Sequence, residues 1–171
     1  MLEKLIAIAS SQVGMREVGG NNCGDAVRKY QSATDLPPGA WPWCAAFVDW
    51  CIQEWLDIPQ VVIWLDLKRR TPQEWRPKTG LAYAITAWAK QRPNTTDIFT
   101  EKDKAQLGDI VTFDFSHVGL VVEDCGDHII TIEGNTNGKG ERDSVSGDGV
   151  WRKIRQKHLI KDLIRIHPSK A

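Results

Sequence analysis

Ser116-His-Val-Gly-Leu-Val-Val-Glu-Asp-Cys-Gly-Asp-His-Ile-Ile-Thr-Ile-Glu-Gly-Asn135 reads as two β-strands joined at a turn. Aliphatic and β-branched residues fill Val118–Glu123 and His128–Glu133, and Asp124-Cys-Gly126 carries the turn signal. Side chains alternate along a strand, so loop length decides which of them share a face. A three-residue loop pairs His117 with Glu133, and a five-residue loop pairs His117 with Asn135. Either register sets these odd-numbered residues on one face; a two-residue loop would put His117 and Glu133 on opposite faces. Neutral imidazole is a natural base near pH 7, and a carboxylate or amide beside it fixes its tautomer. Gly119, two residues along, leaves that side of the ring uncrowded.

Outward from this hairpin the chain divides by periodicity. Asp109–Phe115, Gly149–Ile154 and Leu159–Ile166 are further β-rich runs. Toward the N-terminus the pattern is helical. Residues 2–14 put Leu2, Leu5, Ile6, Ala9 and Val13 on one face, Asp25–Gln31 forms a short second helix, and Leu81–Gln91 forms another. Pro59–Gly80 carries Trp64, Trp75 and Lys68-Arg-Arg70 with poor periodicity, and reads as an insertion or long loop. Helices first and an antiparallel sheet afterwards predict an α+β fold, one domain over residues 1–171.

The nucleophile for the His117 base comes from Trp41-Pro-Trp-Cys-Ala-Ala-Phe-Val-Asp-Trp-Cys-Ile-Gln-Glu-Trp55. Pro42 suits a first helical turn, which places Cys44 at the positive end of a largely buried helix. Unpaired N–H groups there favour thiolate, the reactive form of a thiol. The helix is expected to pack on the face that holds His117. Cys51 lies well inside the helix and reads as structural. Its spacing from Cys44 forbids a disulfide on one helix, and the set with Cys23 and Cys125 reads as reduced thiols, one of them reactive.

Twenty-two basic and 22 acidic residues give no net charge, which argues against nucleic acid as main partner. The basic tail after Val150 (Arg152, Lys153, Arg155, Lys157, Lys161, Arg165) reads first as a solvated face, and secondarily as a weak attraction for an anionic polymer. No run is long enough for a membrane span. The opening residues carry Glu3 and too short an apolar run for an export signal, so the expectation is synthesis in the cytoplasm and delivery by another system.

Pro42-Trp-Cys-Ala-Ala-Phe-Val-Asp-Trp50, Leu107-Gly-Asp-Ile-Val111, Ser116-His-Val-Gly-Leu-Val-Val122 and Ile132-Glu-Gly-Asn135 resemble the CHAP family of peptidoglycan amidases and endopeptidases, within the NlpC/P60, papain-like group. The resemblance spans about Ser10 to about Arg155. It implies a papain-like fold and cleavage of amide bonds in peptidoglycan stem peptides, with Cys44 as nucleophile, His117 as base, and Glu133 with Asn135 completing the site. NlpC/P60 relatives often carry a second histidine where this chain has Glu133. Pro59–Gly80 has no counterpart assignable to the family, and no separate wall-binding module is visible. The setting is a phage lysin or an antibacterial effector, and an effector implies an immunity or inhibitor protein as partner.

Some resembling enzymes bind calcium. Asn21, Asn22, Asp25 and Asp35 are scattered oxygens without ligand spacing, and Asp143 and Asp148 are no better, so no metal and no cofactor are expected. Of the eight tryptophans, Trp50 and Trp55 read as core, while Trp41 and Trp43, nearest Cys44, are candidates to stack on wall sugars. Two other functions fit the same residues: acyl transfer from the same site, and a wall-binding or interaction module without turnover.

Overall fold

The computed structural model describes residues 1–68, 70–138 and 147–170. Its axis is helix α3 (Cys44–Leu56), in which every residue but Gln53 and Glu54 is buried. A helix apolar all round must be enclosed, and the other elements enclose it. Helices α1 (Leu2–Ser11), α2 (Asp25–Gln31), α4 (Pro59–Leu65) and α6 (Ala82–Lys90) contact α3 from several sides. Strands β1 (Thr96–Phe99), β2 (Ile110–Phe113), β3 (His117–Asp124), β4 (His128–Thr136), β5 (Gly149–Gln156) and β6 (Ile160–Ile166) form one antiparallel sheet ordered β1-β6-β2-β3-β4-β5. The fold is α+β, as the periodicity predicts.

Alternation along the strands separates two cores. Val118, Leu120, Ile132 and Val150 pack with the helices. Val111, Phe113, Val121 and Ile129 belong to a second cluster on the other face.

Helix α1 ends at Ser11, earlier than the expected 2–14, and Val13 is left 41% exposed. The backbone leaves the helix to pair with β5: Gly14 N–H donates to the Val150 carbonyl, and Val150 N–H donates to that of Met15, each at 2.9 Å. Strand β1 went unpredicted because Asp97 interrupts a run of only four residues. It is an edge strand held by β6.

The expectation of a long loop over Pro59–Gly80 is corrected. Its described residues include α4 and α5 (Pro72–Trp75), each with Pro in its first turn, and Thr71 and Glu74 form a reciprocal capping box. Helices of seven and four residues are too short to show a helical period. They supply core nonetheless: Val61, Leu65 and Trp75 are buried. The Trp75 indole meets Trp88 edge-on at 5.2 Å and donates to Thr95 Oγ1 at 2.9 Å. Trp75→Ala should therefore cost about 3–5 kcal/mol in urea unfolding; a loss below about 1 kcal/mol would make the segment peripheral.

Candidate active site

Trp43 caps α3 through its backbone, so its side chain leaves the first-turn N–H groups around Cys44 uncapped. Cys44 is the first residue of the helix and 7% exposed. The tip of α3 comes close to β4 because Gly134 has no side chain. A Cβ there would lie 2.5 Å from Phe47 Cβ and 2.9 Å from the Trp43 ring.

His117 opens β3. The turn before it has Ser116 at φ 57°, and Tyr83 of α6 pins it: the Tyr83 hydroxyl donates to Phe113 O at 2.7 Å and accepts Ser116 N–H at 2.8 Å. The imidazole is fully buried, stacked beside Phe115 and Phe113 at centroid distances of 5.7 and 6.1 Å.

Glu133, not Asn135, touches the imidazole, at 2.7 Å from Oε2 to Nε2. Near the turn the register is Asp124↔Ile129, which alone would set His117 and Glu133 on opposite faces. A β-bulge between Val121 and Glu123 absorbs one residue and restores parity, giving Val121↔Thr131 and Leu120↔Ile132. Continued, that register sets Asn135 opposite His117 and Glu133 opposite Gly119. The carboxylate reaches diagonally over Gly119, where a Cβ would lie 2.6 Å from Glu133 Cγ. So Gly119 makes room for Glu133 rather than for open space beside the ring. Asn135 sits in a second irregularity of β4, at φ 52°, and is buried.

Two more side chains hold Glu133, and the aromatic pair beside His117 shields one of them. Arg155 of β5 donates to both carboxylate oxygens, from Nε at 2.9 Å and Nη2 at 2.6 Å, and Thr131 Oγ1 donates at 2.6 Å. The Arg155 guanidinium lies 5.1 Å from the Phe115 ring centre and 5.4 Å from that of Phe113. Sequence reasoning missed Arg155 by taking β5 as part of a solvated basic tail. That reading is corrected: Lys153 and Arg155 are buried while Ile154 between them is 65% exposed. Arg165 is likewise engaged, with both Nε and Nη2 on the buried Asp109 carboxylate. The signal lay in the alternation Trp151, Lys153, Arg155, which shares the Glu133 face through the pair Glu133↔Trp151.

The position of α3 also differs from expectation. It packs with Val118 and Leu120, on the face opposite His117 and Glu133. Cys44 therefore approaches the imidazole from the helix tip, at the end of the sheet. With Nε2 on Glu133, Nδ1 has no hydrogen-bond partner among the described residues. Burial opposes charge on His117, but the Glu133 carboxylate and the Cys44 thiol outweigh it and raise its pKa to about 9. Burial also opposes charge on Glu133, and Arg155 and His117 reverse this, holding the carboxyl well below its ordinary range.

Trp43 is a correction. It is 1% exposed, stacks on Tyr30 at 5.4 Å and donates to Glu17 at 2.8 Å, so no sugar reaches it. Trp41 is half-buried, its indole N–H on Pro37 O at 3.0 Å. Asp25 pairs with Arg28 and Asp148 with Arg16, and among the described residues no three His, Cys, Asp or Glu side chains converge; Asp143 lies outside those residues. All four cysteines are free, and burial raises the Cys51 thiol well above its ordinary pKa. Among the described residues no helix is long and apolar enough to cross a membrane.

Residues 36–135 match the CHAP domain family, and this span holds Cys44, His117, Glu133 and Asn135. The chain belongs to the CHAP domain family. No curated protein matches this CHAP chain. Solved structures do. Ly7917 aligns at TM-score 0.54 and 16% identity, over 97% of this chain and 62% of its own. Ly7917 with the hydrolyzing product of MDP aligns at 0.55 and 15%, over 98% and 63%. The wild-type endolysin LysIME-EF1 aligns at 0.53 and 14%, over 98% and 65%. The CHAP chain thus spans under two-thirds of these neighbours, and at such identities they establish a shared, papain-like α+β fold.

The raised His117 pKa carries a sign. The stabilising contribution of imidazolium is complete below the ordinary value of 6.5 and is lost as pH rises through about 9. NMR of the ring should give a midpoint near 9, moving down in Glu133→Gln because burial then acts with less opposition. An unchanged midpoint in that variant would break the assigned coupling.

Proposed function

We propose that this chain is a peptidoglycan hydrolase that cleaves an amide bond of the stem peptide, as amidase or endopeptidase, with Cys44 as nucleophile. The observation that carries the reading is an imidazole held at Nε2 by a buried, arginine-clamped carboxylate, with the Cys44 thiol acting on the ring from the helix tip. Membership of the CHAP family supports it. So do the neighbours: one is an endolysin by name, and another was solved with the hydrolyzing product of MDP.

In the proposed reaction Nδ1 of His117 holds the proton it shares with Cys44, as its raised pKa favours, and the sulfur attacks the stem-peptide carbonyl. The oxyanion accepts the Cys44 backbone N–H, aided by a donor from the preceding loop. The C–N bond breaks, the amine leaves with the proton from His117, and a thioester joins Cys44 to the acyl fragment. Water, deprotonated by His117, then releases the acid and restores the thiol. Glu133 keeps Nε2 as the hydrogen-bonded nitrogen, so Nδ1 serves the sulfur. Asn135 flanks this pair, and Trp41 is the remaining candidate to meet a sugar ring. Action is at the cell wall, as a phage lysin or an antibacterial effector; for an effector, an immunity protein would cover the Cys44 opening.

Digestion of purified sacculi followed by chromatography and mass analysis tests this and names the bond. Wild type should release fragments cut at one amide position, and Cys44→Ala should release none while keeping its unfolding midpoint. Glu133→Gln should lower kcat about 100-fold or more, and Asn135→Ala by less than tenfold. Full activity in folded Cys44→Ala would end the proposal. With Cys23 and Cys125 replaced by Ser, iodoacetamide at pH 7 should label Cys44 and spare Cys51; equal, slow labelling would favour a binding module.

A further inference from the structure

A pocket of about 280 Å³ lies beyond the candidate active site, where α5, the end of α6 and the start of β1 meet. Lys68, Arg70 and Arg92 line it together with Asn94, Thr95 and Ser169, and among the described residues no Asp or Glu does. In a chain with equal numbers of acids and bases, three cations line one cavity, and with Lys68 paired to Asp66 the local excess is carried by Arg70 and Arg92. Their nearby acids are already committed: Asp66 pairs with Lys68, and Glu74 is held by the Thr71 capping box, with Arg70 acting on it only through space.

Arg92 is fixed rather than free. Its Nη1 donates to Trp88 O at 3.0 Å and its Nη2 to Glu74 O at 3.2 Å, and the guanidinium stands 5.2 Å from the Trp88 ring. Its Nε has no hydrogen-bond partner among the described residues. Burial and the neighbouring Arg70 both disfavour its charge. Two guanidinium groups held near each other in a concave site repel, and an oxyanion between them removes that cost. The Thr95 hydroxyl is spent between Trp75 and Arg92, and the Asn94 amide and the Ser169 hydroxyl suit the remaining oxygens of a tetrahedral anion.

We infer that this pocket binds a phosphate group, carried on the phosphodiester polymer of a cell wall. The phosphate chemistry follows from the pocket; the polymer as its source rests on the wall-hydrolase reading. Strand β1 is separated from β3 by β6 and β2, so at ~4.8 Å between strands the pocket is on the order of 15 Å from the His117 strand. A polymer held there leaves the Cys44 opening clear and raises the local concentration of stem peptides around it.

Thermal unfolding in sodium phosphate against sodium chloride at equal ionic strength is the first test. Wild type should show saturable stabilisation by phosphate. The double variant Lys68→Gln/Arg70→Gln changes two exposed residues, and should fold normally and bind phosphate at least tenfold more weakly. The second test is co-sedimentation of Cys44→Ala with intact walls and with walls stripped of phosphodiester polymer. At least fivefold less protein should sediment with stripped walls, and with intact walls when the two Gln substitutions are added. Absence of saturable stabilisation, or binding unchanged in the double variant, would overturn the pocket. Phosphate binding with equal sedimentation on both walls would overturn the polymer as source. A sacculus assay without products leaves the phosphate test untouched, so the two proposals fail separately.

Discussion

The Glu133 carboxylate, buried between Arg155 and His117, is the interaction on which the site depends. A lone carboxylate inside a protein would take up a proton rather than stay charged. Two donors from Arg155, one from Thr131 and one from the imidazole reverse that balance. The charge count explains the arrangement. Glu133 and Arg155 cancel, so neutral His117 with a Cys44 thiol, or imidazolium with thiolate, leaves the four-residue chain with the same net charge. A proton can pass between sulfur and ring without adding a net buried charge, which is the cost that otherwise blocks ion-pair formation in an interior.

The fold around this chain is organised by close approaches. Gly134 brings the α3 tip against β4, and Gly119 opens the space through which Glu133 crosses to the ring. Tyr83 binds both sides of the turn before His117, tying α6 to the hairpin. These contacts come from different elements, and each fixes one coordinate of the thiol or the ring. Ser116 and Asn135, both at positive φ, lie in the same region, while Asn22, Asp66 and Lys68 adopt such backbone elsewhere.

The parts legible in the sequence were those written in local periodicity. Helix α2, the apolar α3 with Cys44 at its head, and the alternating hairpin are all of that kind. What alternation could not supply was the bulge after Val121, because a bulge is an agreement between two strands, not a pattern in one. Glu133 comes to the face that residue parity predicts only through that correction. Arg155 stayed hidden because its strand inverts the usual code, turning Ile154 outward and a guanidinium inward. Trp43 misled in the opposite sense: a tryptophan beside a cysteine loop looked available, and it is core.

Burial also orders the proposed chemistry in time. The imidazole has no exposure of its own, while Cys44 keeps 7%. Among the described residues, the thiol residue rather than the ring keeps contact with solvent. In the proposed reaction the amine collects its proton from Nδ1 while still over Cys44, and the water that cleaves the thioester takes the place the amine leaves. Amine and water thus use one place in turn, so acylation and deacylation follow each other. In the proposed reaction a protein that covers Cys44 would block both steps, since both take place at the sulfur.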